Sequence, residues 1–155
     1  MKRQDRYEVV FKKDRFHVFQ TGKLIAEISI YTDEYDTQYI KLHSMEDDLY
    51  LESEFDLSIT IVPGISRSFY CHDQEVVQYV YQDIHKIQFT TWYDNTYTCF
   101  INKNKVEVFD SYPNKLATMQ MDYEDNHFYI EFDSIVKKEL KLIIALISCL
   151  DIRTL

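Results

Sequence analysis

Ile135-Val136-Lys137-Lys138-Glu139-Leu140-Lys141-Leu142-Ile143-Ile144-Ala145-Leu146-Ile147-Ser148-Cys149-Leu150 is the stretch that decides the fold. It holds no Gly or Pro, and Asp133 or Ser134 ahead of it can accept a hydrogen bond from a free first-turn N–H. It therefore reads as a helix over about 134–150. At roughly 100° per residue, Lys137, Lys138, Lys141 and Ser148 share one stripe with Ala145 close by, and everything else from Leu142 to Leu150 is apolar. A helix apolar nearly all round is buried, not laid on a surface. Its first turn, with three lysines and Glu139 nearby, is expected to emerge into water, and its second half to be wrapped by protein. The competing reading is an interfacial anchor with the lysines at headgroup level, but the apolar cover of Leu142 to Leu150 is too complete for a helix lying flat.

What could wrap it lies upstream. Phe16, Val18 and Gln20 alternate with His17 and Phe19; after Thr21-Gly22, Leu24, Ala26, Ile28 and Ile30 alternate with Ile25, Glu27 and Ser29. A period of two on both sides of a short connection is a hairpin signal. The texture continues through 38–43, 48–52, 56–62, 67–71, 76–82, 84–91, 96–102, 105–110, 115–121 and 127–132. Pro63-Gly64 suits a type II turn and Pro113-Asn114 a turn with Pro second. The 13 Tyr and 10 Phe fit pleated, half-buried surfaces. About twelve short strands result. Eight strands close on a lumen that side chains fill, whereas about twelve leave space for something more. The expected architecture is mainly β: a single domain over 1–155, a closed barrel of about twelve strands (about 6–132) around the buried C-terminal helix.

Composition bounds the function. The 155 residues carry 17 Lys+Arg against 26 Asp+Glu, a net charge of -9, with 46% hydrophobic residues, as in an ordinary globular domain. Two glycines in all exclude a glycine-rich phosphate loop. The start, Met1 to Arg6, is basic but runs into Tyr7-Glu8-Val9-Val10-Phe11-Lys12-Lys13 without the apolar core of a signal peptide. The longest apolar run, 142–147, falls far short of the ~20 residues of a bilayer span. Cys71, Cys99 and Cys149 are odd in number, widely spaced and form no C-x-x-C pair, which suits reduced thiols in the cytoplasm. Within 31–60 nine acids face one Lys41, a balance of -8, while 1–15 carries +3. Such a chain repels phosphate backbones, so nucleic acid is not an expected partner. Its acidic face suits a basic protein surface, and Lys12, Lys13 and Arg15, placed at a hairpin tip, offer a contact for anionic lipid headgroups.

No constellation for catalysis stands out. Cys71-His72-Asp73 brings thiol, imidazole and carboxylate together in sequence, but neighbours on a strand point to opposite faces. His43 with Glu46, Asp47 and Asp48 is the densest candidate for a cation, and Asp33, Glu34 and Asp36 the next; both read as solvated acidic loops. Trp92, beside Tyr93 and near Tyr97, reads as packing at a strand end. No catalytic residue, metal or cofactor is expected.

The strands feeding straight into an apolar helix (His127-Phe128-Tyr129-Ile130-Glu131-Phe132, then Asp133 to Leu150) resemble the tubby C-terminal-like superfamily, with its LURP-one-related proteins, phospholipid scramblases and small bacterial members. An internal echo adds to the likeness: Phe16-His17-Val18-Phe19-Gln20 before Lys23-Leu24, and Val106-Glu107-Val108-Phe109-Asp110 before Lys115-Leu116. The resemblance implies a closed barrel around a central helix and, in tubby proteins, phosphoinositide binding at a basic pocket, for which this chain shows no matching Lys/Arg cluster. The expected function is a non-enzymatic cytosolic binding or adaptor protein acting through its outer surface. Peripheral phospholipid or phosphoinositide binding is the alternative, and an acidic decoy or inhibitor a third. With the lumen occupied, no deep pocket is expected there.

Overall fold

The computed structural model describes residues 5–46, 49–58, 62–91, 95–102, 104–122, 127–133 and 136–154. Among them twelve strands run in chain order: β1 (Asp5–Lys12), β2 (Arg15–Gln20), β3 (Lys23–Thr32), β4 (Thr37–Ser44), β5 (Tyr50–Asp56), β6 (Ser66–Cys71), β7 (Gln74–Asp83), β8 (Lys86–Thr91), β9 (Thr96–Asn102), β10 (Lys105–Phe109), β11 (Lys115–Asp122) and β12 (His127–Phe132). One helix follows, α1 (Lys138–Thr154). Every strand pairs antiparallel with its sequence neighbours, and β1 pairs with β12 (Val9 opposite Phe128), which closes the barrel and leaves no edge.

Alternation sorts the side chains. Val9, Phe16, Val18, Ile28, Ile40, Leu42, Leu51, Phe69, Phe89, Val106, Phe128 and Ile130 are buried in the one core that also contains the helix. Residues 141–150 of α1 are all buried. Ten consecutive buried residues are nearly three turns with protein on every side, so α1 runs through the lumen. It enters at the end where β12 stops, here the lower end, and climbs towards the opposite, upper mouth.

Among the described residues four hairpins carry a one-residue register slip; that of β7/β8, between Tyr81 and Asp83, lies at the upper end, while the other three, four strands apart, share one placement. In β2/β3, β6/β7 and β10/β11 the register slips by one residue, between Val18 and Phe19, Phe69 and Tyr70, and Val108 and Phe109, which leaves Ile25, Val76 and Leu116 as the extra residues. Each bulge puts successive side chains inward, Ile25 with Ala26 and Leu116 with Ala117 being buried pairs. The sequence echo between Phe16–Gln20 and Val106–Asp110 thus has a geometric basis, and β6/β7 is its third copy.

Turn chemistry agrees with the sequence at Pro63-Gly64, where the Ile65 N–H donates to the Val62 carbonyl (3.1 Å) and Gly64 takes φ 94°. Lys13-Asp14, Thr21-Gly22 and His72-Asp73 each hold two successive positive φ angles, as a two-residue type I′ hairpin requires. Three expectations need correction. The strand expected over 56–62 does not begin at Asp56: β5 ends there, and the Asp56 carboxylate caps a turn by accepting the Ser58 N–H (2.9 Å) and hydroxyl (2.6 Å), while 59–61 lie outside the described residues. The helix begins at Lys138, too far along for Asp133 to cap it, and Asp133 instead faces Lys115 at 3.6 Å; Ser134 lies outside the described residues. Lys141 does not reach water: its ammonium is buried, hydrogen-bonded to Asp5 and placed over the rings of Tyr7 and Phe132.

Leu146, fully buried on the helix, has barrel wall around it. Leu146→Ala is expected to lower stability by about 2–5 kcal/mol in urea unfolding, since the closed wall cannot collapse onto the cavity. Non-glycine residues pay about 1–2 kcal/mol each for left-handed backbone. His72→Asn with Asp73→Gly is therefore expected to raise the thermal midpoint.

Candidate functional site

The upper mouth holds a cavity of about 560 Å³. Its wall is the inward face of β3 to β9: Ile30, Phe55, Ile87 and Ile101 with Tyr79 and Tyr81, closed from within by Leu150 of the helix. Leu57, Ile65 and Ile84 form the rim. The helix fills the barrel further down, and the expectation of no deep pocket fails at this end. Exposed Tyr31, Tyr35, Leu57, Val62 and Ile84 all belong to strand ends or loops of the upper end, giving the opening an apolar surround.

One charge stands inside this cavity. In Ser66–Cys71 alternation puts Arg67 on the same face as Phe69, and Arg67 is 9% exposed. Its Nε donates to Ser53 Oγ (2.8 Å), Nη1 to Gln38 Oε1 (2.6 Å) and Nη2 to the Gln38 carbonyl (3.3 Å). The guanidinium carbon lies 5.2 Å from the Phe55 ring centroid and 5.8 Å from that of Phe69. Burial pulls the group down from 12.5 to about 10, so it stays protonated at neutral pH. These bonds also span a weak seam, because β5 and β6 share a single register pair, Glu52 with Tyr70. Above that pair the chain leading into β6 turns to β7 instead, where Gly64 and Ile65 exchange backbone bonds with Tyr81 (2.8 and 2.9 Å).

The residues singled out by sequence lie elsewhere. Lys12, Lys13 and Arg15 do form the β1/β2 hairpin tip; Lys12 and Lys13 are exposed, and Arg15 Nη1 is 3.2 Å from Glu27 Oε2. Asp33 turns back on its own loop, accepting the N–H groups of Tyr35 (2.9 Å) and Thr37 (3.0 Å), and these bonds, that from Thr37 foremost, hold its carboxyl below the ordinary value. Asp110 does the same with Tyr112 and Asn114. Cys71 is half-buried, while His72 and Asp73 are the exposed turn beyond it. His43 sits edge-on to Tyr50 at 6.4 Å. Asp47, Asp48, Trp92 and Tyr93 lie outside the described residues, and Tyr97 stacks on Phe89 at 5.1 Å. No group of three or more His, Cys, Asp or Glu side chains converges among the described residues. Nor is any described helix long and apolar enough to cross a membrane.

Two other hollows are less enclosed in chemistry. One of about 310 Å³ beside the helix entrance is lined by Tyr97, Asp110, Tyr112 and Lys137. Another of about 620 Å³ runs along exposed Gln74, Glu75 and Gln78 next to Cys71. Neither contains a buried charge. Comparison of the chain with family models, curated proteins and solved structures finds no match.

At the lower end Glu46 ties the helix to the barrel. Its carboxylate receives Lys138 at 2.6 Å and Lys23 at 2.9 Å, and the Lys138 bond, then that of Lys23, holds its pKa down from 4.5 to about 2. A carboxyl depressed by folding stabilises above its unfolded pKa and loses that contribution as pH falls through the folded value. The stability gap between the native protein and Glu46→Gln is expected to be full at neutral pH and to close between about pH 4.5 and about 2. Urea midpoints across that range check it.

Proposed function

We propose that this is a tubby-like, non-enzymatic binding protein of the cytoplasm, and that its ligand is a small molecule with an apolar body taken into the upper mouth. The observation that carries the reading is the cavity itself: about 560 Å³, inside the roughly 300–1,000 Å³ of small-molecule sites, apolar in most of its wall and with Arg67 and Gln38 converging from one side. Mouths of β-barrels are a common setting for such sites. The tubby-like part of the proposal rests on twelve antiparallel strands closed around a C-terminal helix. The three thiols, none in a disulfide, support a reducing compartment.

Recognition of a basic partner by the outer surface has thinner support. Of the nine acids in 31–60, Asp33 and Asp56 bond to their own loops and Glu46 is held by two lysines. Binding of anionic headgroups at Lys12 and Lys13 rests on charge alone.

Calorimetric titration with decanol is expected to show saturable one-site binding. Ile65 is half-buried at the rim, so Ile65→Trp puts its extra volume into the cavity and is expected to weaken binding at least about tenfold with an unchanged circular dichroism spectrum. Absence of binding by decanol and by its carboxylic acid alike rules the mouth out.

A further inference from the structure

We propose that the ligand of the upper mouth is a monocarboxylate on an apolar chain, its carboxylate held by the Arg67 guanidinium and its chain laid against Phe55, Ile87, Ile101 and Leu150. The inference rests on the mouth being a ligand site and adds the chemistry of what enters it.

The argument is one of unanswered charge. A guanidinium carries five N–H groups. Arg67 spends three, all on neutral acceptors: a hydroxyl, a side-chain amide oxygen and a peptide carbonyl. One N–H on each terminal nitrogen is left without a partner among the described residues, and no described carboxylate lies within ion-pair distance. Asp83, the one acid of the cavity lining, is exposed at the rim and accepts the His85 backbone N–H at 2.7 Å. A nine-tenths buried cation facing an apolar wall is costly until an anion answers it. The planar fork of Arg matches a carboxylate with two parallel bonds. A single guanidinium with neutral neighbours answers one negative charge, which favours a carboxylate over a phosphate dianion.

A purely structural role for Arg67 as a stitch across β4, β5 and β6 makes a different demand. A stitch needs donors of the right reach and no charge. Arg67→Gln keeps a donor and removes the charge, so it separates the two roles.

The experiment compares decanoate, methyl decanoate, decanol and decyl phosphate by calorimetry at neutral pH. Decanoate is expected to bind at least about tenfold tighter than its methyl ester, as charge-assisted bonds in a low-dielectric site allow. That preference is expected to vanish in Arg67→Gln and to persist, reduced, in Arg67→Lys. Equal affinity for acid and ester, or a preference that survives in Arg67→Gln, overturns the carboxylate site while leaving the apolar cavity standing. Tighter binding of decyl phosphate overturns the choice of carboxylate. Failure of all four probes removes the mouth as a ligand site altogether. The acid–ester comparison on the unaltered protein decides the matter even where a variant fails to fold.

Discussion

A helix with no polar side long enough to face water must be enclosed, and the rest of this molecule follows from that demand. Residues 141–150 are buried without interruption, and their only enclosure is a wall that closes on itself. Twelve strands supply a lumen wide enough for a helix, where eight fill with their own side chains. The two ionic ties at the lower end, Lys138 to Glu46 and Lys141 to Asp5, fix the depth at which the helix sits. That depth in turn leaves Leu150 as the floor of the upper cavity.

The bulges show how the wall adapts to its contents. A regular strand offers one inward residue in two. At β3, β7 and β11 the extra Ile25, Val76 and Leu116 add apolar bulk on the core side near the lower end. Their recurrence every fourth strand gives a threefold pattern to a chain whose sequence displays only two of the copies openly. Phe69-Tyr70 and Val76-Val77 lack the Lys-Leu signature that marks the other two, so the third is visible only in register.

Much of the fold was legible because period-two alternation and an all-round apolar helix are strong signals that local chemistry seldom overrides. Where reading failed, a competing local bond decided. Asp-Leu-Ser at 56–58 alternates like a strand, but the Asp56 carboxylate prefers the Ser58 N–H and ends β5. Lys141 lies on the polar stripe as expected, yet Asp5, distant in sequence, pairs with it and allows its burial. The candidate site was legible in principle: Arg67 is a charge on the inward face of Ser66–Cys71, sharing parity with Phe69. Periodicity alone does not single it out, because Gln38 and Ser53 become its partners only through the closed sheet. Fold alone does not assign function, so the functional reading stands on this one buried cation and its cavity.

The order of the chain sets a condition on folding. The helix is C-terminal to all twelve strands, yet it must lie inside them, and the strands that seal the barrel, β1 and β12, are far apart in sequence. A ribosome therefore delivers the whole wall before the element that fills it. A sheet that closed before the helix arrived would enclose an empty lumen lined by apolar side chains. Long-range pairing of this kind is slow and exposed to aggregation.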